Sequence, residues 1–437
     1  MTGSTPSPDW QPPRSSVWAW VGYDLANTIF SLGVIGLYLP QWILEEGLRD
    51  SALSLATAGA GLAVAFLAPW VGARTDHQGN RISVLAVTTG VAVLGTCLLA
   101  IGPTLLTLVI FGISLVGFHV GSAVYDALLL DVSTPRTRSR VSGLGVAIGY
   151  VGSFIGLGIG SVVLGMGGSY ATVFRSLAVG FAVFSLPAFF LIRPAPRALP
   201  TGSPPQLWRI VSDLYRSWKA TRDYPLLTRF LVGRFCYTET VNTLIGGFLA
   251  IYATEEAGLS TSQVTVLLGA AIAASMAGGF FGGWLASRLG PGPAVRMILK
   301  LWIVTIALGV TAGISGLTVL IWIAGLSGGV ALGGLWATDR VLMTGLAPPQ
   351  RLGEFYGLYA TVGRFAAVLG PLLWGLIVDV LGWSRHAAMI SLMVVAGIAL
   401  HILRGVNPGV SYEPSPSSGD SDGKTMETDP PKDPLGT

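Results

Sequence analysis

The sequence predicts an all-α integral membrane protein, with 12 transmembrane helices in two pseudo-symmetric six-helix bundles. Three observations carry that expectation. Of 437 residues, 51% are hydrophobic and only 11% charged, with a mean hydropathy of +0.66, whereas a soluble chain carries roughly 25% charged residues to face water. Apolar runs of the ~20 residues that cross a bilayer recur along nearly the whole length. Finally, the two halves of the chain repeat each other.

The expected spans are 17–43, 53–73, 82–102, 105–131, 141–165 and 171–192, then 226–252, 261–287, 295–313, 317–345, 354–380 and 387–404. They divide the chain into an N-terminal segment 1–16, a bundle 17–192, a linker 193–225, a bundle 226–404 and a tail 405–437. Residues 1–16 are rich in Pro and Ser and lack the basic region and short apolar core of a cleavable signal. The linker carries Arg197, Arg209, Arg216, Lys219 and Arg222 and includes one amphipathic stretch. The tail is too polar to bury itself, and both ends are expected to be disordered. Spans fill the length, so no soluble catalytic domain fits.

Charge alternates from break to break. Arg74, Arg81, Arg136, Arg138, Arg140, the linker, Arg288 and Arg296 lie on one side; Arg49 and Arg385 lie on the other, beside Glu45, Glu46, Glu255 and Glu256. The positive-inside rule then puts both termini and the linker in the cytoplasm, with the cell membrane as the expected location. The net charge of +4 is thus a record of orientation and not a nucleic-acid footprint. Two cysteines, Cys97 and Cys236, lie inside spans and indicate neither a disulfide framework nor a metal centre. No cofactor is expected: nothing matches the G-xxxx-G-K-[ST] phosphate loop. The glycines at 143, 145, 149, 152, 156, 158 and 160 follow no strand, and their small-residue spacing suits close helix packing.

The repeat has a nearly constant offset. Gly72, Asp76 and Gly79 return as Gly283, Ser287 and Gly290, 211 residues on. Asp126, Pro135, Gly143, Gly149 and Gly156 correspond to Asp339, Pro348, Gly357, Gly363 and Gly370, offset by 213 and then 214. Asp24-xx-Asn27-Thr28 is echoed by Glu239-xx-Asn242-Thr243, offset by 215. Duplicated bundles can close alternately on either side of a central site, which is how a secondary transporter works.

At this point the chain resembles the major facilitator superfamily, over nearly its whole length. That family's loop signature G-xxx-D-[RK]-x-G-[RK]-[RK] stands here as Gly72, Asp76, His77, Gly79, Asn80 and Arg81, with His77 and Asn80 departing from it. The second copy keeps Gly283, Arg288 and Gly290 but has Ser287 for the acid. The resemblance implies a gating role for these residues. A narrower likeness is to the vacuole-effluxer-like, autophagy-related branch, whose Y-D-W-A-N-[ST]-x-F signature stands as Tyr23-Asp24-Leu25-Ala26-Asn27-Thr28-Ile29-Phe30. The stretches around Tyr125 to Asp131, Arg140 to Gly145 and Arg351 to Tyr359 are similar to it too. That branch implies efflux of amino acids.

Ionisable groups at membrane depth are costly and mark function by default. Here they fall on every third span: Asp24 in the first, His119 and Asp126 in the fourth, Arg234 and Glu239 in the seventh, Asp339 and Arg340 in the tenth, with Arg364 in the eleventh as the exception. Counting from span ends puts Glu239, His119 and Arg364 near the midplane. Glu239, with Asn242 on its face, is the candidate proton-coupling carboxyl; the alternative is a charge-paired structural role. Asp24, Asn27 and Ser31 form a polar stripe suited to a substrate or cation. His119 and Asp126 share a face as a relay or a hydrogen-bonded pair. Arg364 is placed to clamp a substrate carboxylate or to pair across the cavity. Asp126, Arg234 and Asp339 are candidates for gates or for fixed pairs.

The expected partners are the lipid bilayer, a small-molecule substrate and H+, with the chain a monomer. A drug or sugar exporter is the first alternative, with Trp336, Tyr125, Tyr150 and Tyr356 as stacking rings. A non-transporting receptor is more remote. No His and Glu at metal spacing, and no serine with a nearby base, supports an enzyme.

Overall fold

A computed structural model describes residues 11–134, 137–194, 207–348 and 351–408. The expected terminal disorder at 1–10 and 409–437, together with Pro135, Arg136 and Arg197, lies outside these residues. The first half consists of α1 (Arg14–Glu45), α2 (Asp50–Gln78), α3 (Arg81–Leu98), α4 (Thr104–Leu128), α5 (Arg138–Gly165) and α6 (Tyr170–Leu191). After the linker helix α7 (Leu207–Ala220), the second half follows as α8 (225–255), α9 (Thr261–Leu289), α10 (Pro291–Ser315), α11 (Thr318–Leu346), α12 (352–380) and α13 (Arg385–Ile402). Among the described residues, eleven helices are long and apolar enough to cross a membrane. The twelfth expected span is α8. It carries Arg229, Arg234 and Glu239 and is broken at Gly246–Gly247, where Gly247 has φ 107°.

The duplication is visible in backbone geometry as well as in sequence. α1 widens into π-type winding over Ile29–Tyr38, and α8 does the same over Leu244–Phe248. These loosened stretches meet, with Gly247 against Pro40 and the Ile35 carbonyl, where no larger residue fits.

Close approach of α5 to α1 explains the glycine run. A Cβ at Gly145 would lie 2.7 Å from the Trp20 ring, and one at Gly156 would lie 3.0 Å from the Ile29 carbonyl oxygen. Gly152 abuts the Leu25 carbonyl in the same row. Without side chains in the way the backbones touch, which is how helices gain dispersion energy where lipid removes the hydrophobic incentive. Thr28 then donates to the Gly149 carbonyl, and Tyr38 donates to the Leu157 carbonyl at 2.6 Å.

The halves are stitched together at the end opposite the termini. Asp50, only 1% exposed at the start of α2, accepts from Arg385 Nε at 2.9 Å and from its terminal nitrogen at 2.8 Å. Trp374 Nε1 donates to the same carboxylate at 2.8 Å. The Ser51 backbone N–H donates to Asp379. Gln41 donates to Thr254 at 2.7 Å and accepts from Thr261 at 3.1 Å. At the end bearing the termini, by contrast, Asp126 on α4 and Arg340 on α11 are exposed.

Candidate functional site

Between the halves lies a cavity of about 500 Å³. Its floor comes from the wound stretches of α1 and α8, and its walls come from α2, α4, α5, α9 to α12 and α13. Most of the lining is apolar, including Leu115, Phe118, Ile245, Leu268 and Met389. Polar groups are few: hydroxyls of Thr28, Ser31, Thr57, Tyr150, Ser153 and Thr305, the amide of Asn242, the imidazole of His119 and the guanidinium of Arg364. Trp302 and Trp336 add indole faces.

Of the residues singled out from sequence, Ser31, His119, Asn242 and Arg364 line this cavity. Arg364 stands at the last turn of the first segment of α12, which breaks after Phe365 and resumes at Leu369. Among the described residues its guanidinium makes no hydrogen bond or ion pair to the protein. Its charge acts across the cavity on His119 and Asp126, both of α4. Five N–H donors in a fixed fork open on a mostly apolar space, a geometry that suits a planar anion such as carboxylate.

Glu239 sits one layer behind the wall. Its Oε1 accepts the Gly370 backbone N–H, at the restart of α12. Its Oε2 is buried with no hydrogen-bond partner, and no cation faces it within ion-pair reach among the described residues. One turn on, Asn242 donates to the Gly363 carbonyl at 3.3 Å. Thr28 makes a comparable contact to Gly149 in the first half; Gly149 and Gly363 are equivalent in the repeat, while the donor differs by one position, since Asn242 corresponds to Asn27.

Arg234 and Asp339 are drawn into each other, away from the cavity. Arg234 Nε lies 3.3 Å from Asp339 Oδ2, another nitrogen donates to the Tyr359 carbonyl at 3.0 Å, and the guanidinium rests 3.6 Å from the Tyr359 ring centre. Tyr237 donates to the same aspartate at 3.3 Å. Removing one member of such a buried pair strands the other, at about 3–5 kcal/mol. Arg234→Ala is therefore expected to lower the unfolding temperature in detergent sharply, and adding Asp339→Asn is expected to recover most of the loss. If Arg234→Ala unfolds like the parent, the pair is not structural.

Asp24 lies with its carboxylate against Gly149, and Asn27 is buried with its side-chain oxygen unpartnered. Neither is among the cavity-lining residues, although Ser31 is. The polar stripe expected from α-helical spacing is interrupted because π-type winding begins at Ile29 and shifts the phase of everything beyond it. Tyr125 is packed between Trp20 at 4.6 Å and Tyr23 at 5.0 Å, and Tyr356 packs on Tyr359 at 5.2 Å. Of the four suggested stacking rings, Tyr150 and Trp336 line the cavity.

The loop signature forms a bracket within the first half. Arg81 Nε donates to Asp76 at 3.0 Å, and a terminal nitrogen reaches Asp131, beyond the end of α4, at 2.7 Å. Gly79 takes φ 69° to end α2, while Gly72 is open around its Cα. In the second copy Gly283 is likewise open, Gly290 takes φ 85°, and Arg288 stacks over Trp284 at 5.6 Å instead of meeting an acid.

Sequence reasoning missed the Asp50, Trp374 and Arg385 cluster. A charge at the very start of a span is usually solvated, and only the fold reveals that Asp50 is covered. The hydroxyls at Ser153 and Thr305 were too ordinary to stand out.

Comparison with known proteins agrees with this architecture. Residues 129–409 match the family described as vacuole effluxer Atg22 like. The chain is 26% identical over 424 residues to the uncharacterized MFS-type transporter YxiO of Bacillus subtilis, covering 92% of this chain and 97% of that one. It is 27% identical over 329 residues to autophagy-related protein 22 of Yarrowia lipolytica, covering 67% of this chain and 55% of that one. Among solved structures, the nucleoside transporter NupG superposes with a TM-score of 0.66 at 11% identity, over 90% of this chain and 99% of that one. A bacterial homologue of the lysosomal transporter Spinster, inward-facing and unoccupied, gives 0.64 at 15% identity, over 89% and 95%. At such identities these structures speak for the fold alone. The chain belongs to the vacuole effluxer Atg22-like family, and is a multi-pass membrane transporter of the major facilitator type, not an enzyme.

Proposed function

We propose that this chain exports amino acids or closely similar small carboxylates by alternating access, coupled to protons. Its termini face the cytoplasm, and it works as a monomer in the cell membrane. The observation that carries this reading is Arg364, a guanidinium that makes no hydrogen bond or ion pair among the described residues and faces a mostly apolar cavity. A solute with one carboxylate and a compact apolar body complements that pairing of groups. With the termini cytoplasmic, the conformation is the inward-facing one, stitched shut on the outside. Glu239 is the proton carrier in this reading: a carboxyl buried beside the cavity, held by one backbone N–H and with no ion-pair partner among the described residues, can gain and lose a proton as access alternates. The family's description as effluxers supports the direction. A second reading, an exporter of ring-bearing sugars or drugs, draws on Trp302, Trp336 and Tyr150 in the lining.

Counterflow in proteoliposomes tests both. Preloaded unlabelled amino acid is expected to drive uptake of labelled tracer, and a proton gradient to drive accumulation. Glu239→Gln is expected to keep exchange and lose gradient-driven accumulation. Folded protein that exchanges no amino acid or small carboxylate overturns the substrate reading in favour of ring-bearing solutes. Accumulation that survives in Glu239→Gln removes Glu239 from coupling.

A further inference from the structure

The linker helix α7 plays no part in the cavity, yet its exposed residues are unusual. Trp208 is 78% exposed and Tyr215 is 68% exposed. They stand seven residues apart, on one face of the helix, with Lys219 one turn beyond Tyr215. Arg209, Lys219 and Arg222 are exposed as well. From 207 to 222 the sequence holds four basic residues, Arg209, Arg216, Lys219 and Arg222, against one acid, Asp213. Two large aromatics left bare outside the spans need a cover, and the basic residues beside them define its charge.

The helix is not free to roam. It packs against α2 and α12, one helix from each half, and only Thr221 to Tyr224 separate it from the start of α8 at Pro225. At the same end, Trp70 lies under Arg74 at 5.7 Å on α2, and Trp284 under Arg288 at 5.6 Å on α9. Aromatic rings beside basic side chains mark the level of lipid headgroups. The stripe of α7 repeats that chemistry on a helix outside the spans.

We propose that α7 is an interfacial helix that lies in the headgroup layer and binds anionic lipid. Trp208 and Tyr215 enter the boundary between headgroups and acyl chains, while Arg209 and Lys219 hold lipid phosphates. Charge complementarity selects the occupant: an anionic leaflet attracts juxtamembrane basic residues, and the aromatics anchor them against sliding. An acidic soluble protein would match the basic residues but would leave the rings without an apolar phase. Because α7 touches α2 and α12 together, lipid held there bears on both halves.

The test uses the full chain with Cys97→Ser, Cys236→Ser and a bimane label at Ser212→Cys, beside the stripe. The protein is placed in vesicles of phosphatidylcholine with increasing phosphatidylglycerol. Brominated lipid is expected to quench the label, more strongly as phosphatidylglycerol increases and less strongly in high salt. Arg209→Gln with Lys219→Gln is expected to lower the affinity of the helix for the anionic surface, roughly five-fold per charge removed, and so to flatten the rise of quenching with phosphatidylglycerol, without changing the unfolding temperature. Trp208→Ala with Tyr215→Ala is expected to weaken quenching in every vesicle. A label that aqueous iodide quenches equally in all vesicles, untouched by brominated lipid, overturns the proposal and leaves a soluble partner as the cover. Quenching by brominated lipid that ignores phosphatidylglycerol overturns the anionic selectivity.

Discussion

Arg364→Ala is expected to abolish measurable counterflow while leaving the protein as stable as its parent, or slightly more so. Losing one partner of a desolvated charge pair costs about 2–5 kcal/mol of binding, or roughly 30- to 4,000-fold in affinity. The stability half of this expectation separates a binding role from a structural one. Arg364 gives the protein no hydrogen bonds among the described residues, so removing it forfeits none and relieves the cost of a charge at membrane depth. Arg364→Lys keeps the charge but not the planar fork, and is expected to recover only a minor part of the affinity. The checks are half-saturation in counterflow and thermal unfolding in detergent, run on the same preparations. A collapse in stability that parallels the loss of transport would assign Arg364 to the scaffold.

The second large effect concerns which side is open. Arg385 has alternatives, since Glu255 and Glu256 lie 3.5 and 3.7 Å away. Asp50 has Arg385 and the Trp374 indole. Arg385→Ala therefore strands a buried carboxylate, whereas Asp50→Ala leaves an arginine with carboxylates to spare. The cost of stranding, about 3–5 kcal/mol, falls only on the state in which this end is shut. The equilibrium is expected to move toward the opposite opening by roughly 150- to 4,000-fold in Arg385→Ala, and much less in Asp50→Ala. Ser54→Cys reports the change in a chain otherwise free of cysteine, because Ser54 is 1% exposed just inside the seam. A membrane-impermeant thiol reagent should reach it in Arg385→Ala and not in the parent. Equal labelling in both would mean that the cluster does not hold the seam.

Much of this was legible in the sequence because membranes leave few choices. Span lengths follow from bilayer thickness, and the duplication from equal offsets. The rotation of each helix about its own axis was not legible. Asp339 and Arg340 are adjacent in sequence, yet one is buried against Arg234 and the other is exposed; helical spacing relates residues on one helix but not two helices to each other. The Asp50 to Arg385 pair joins residues 335 apart, which no local pattern encodes. The phase shift at Ile29 escaped for a different reason: π-type winding has no compositional mark in an apolar run.

Asp126 and Asp339 descend from one ancestral position, and they no longer share a fate. In the second half the aspartate is buried, with Arg234 and the Tyr237 hydroxyl on its carboxylate. In the first half, Trp20 and Tyr23 pack on Tyr125, and Asp126 is exposed. The two copies of one position thus sit in different surroundings, one buried against an arginine and the other exposed. An inventory of membrane-embedded charges therefore has to weigh the two copies of a position separately, because the same residue type meets two different environments.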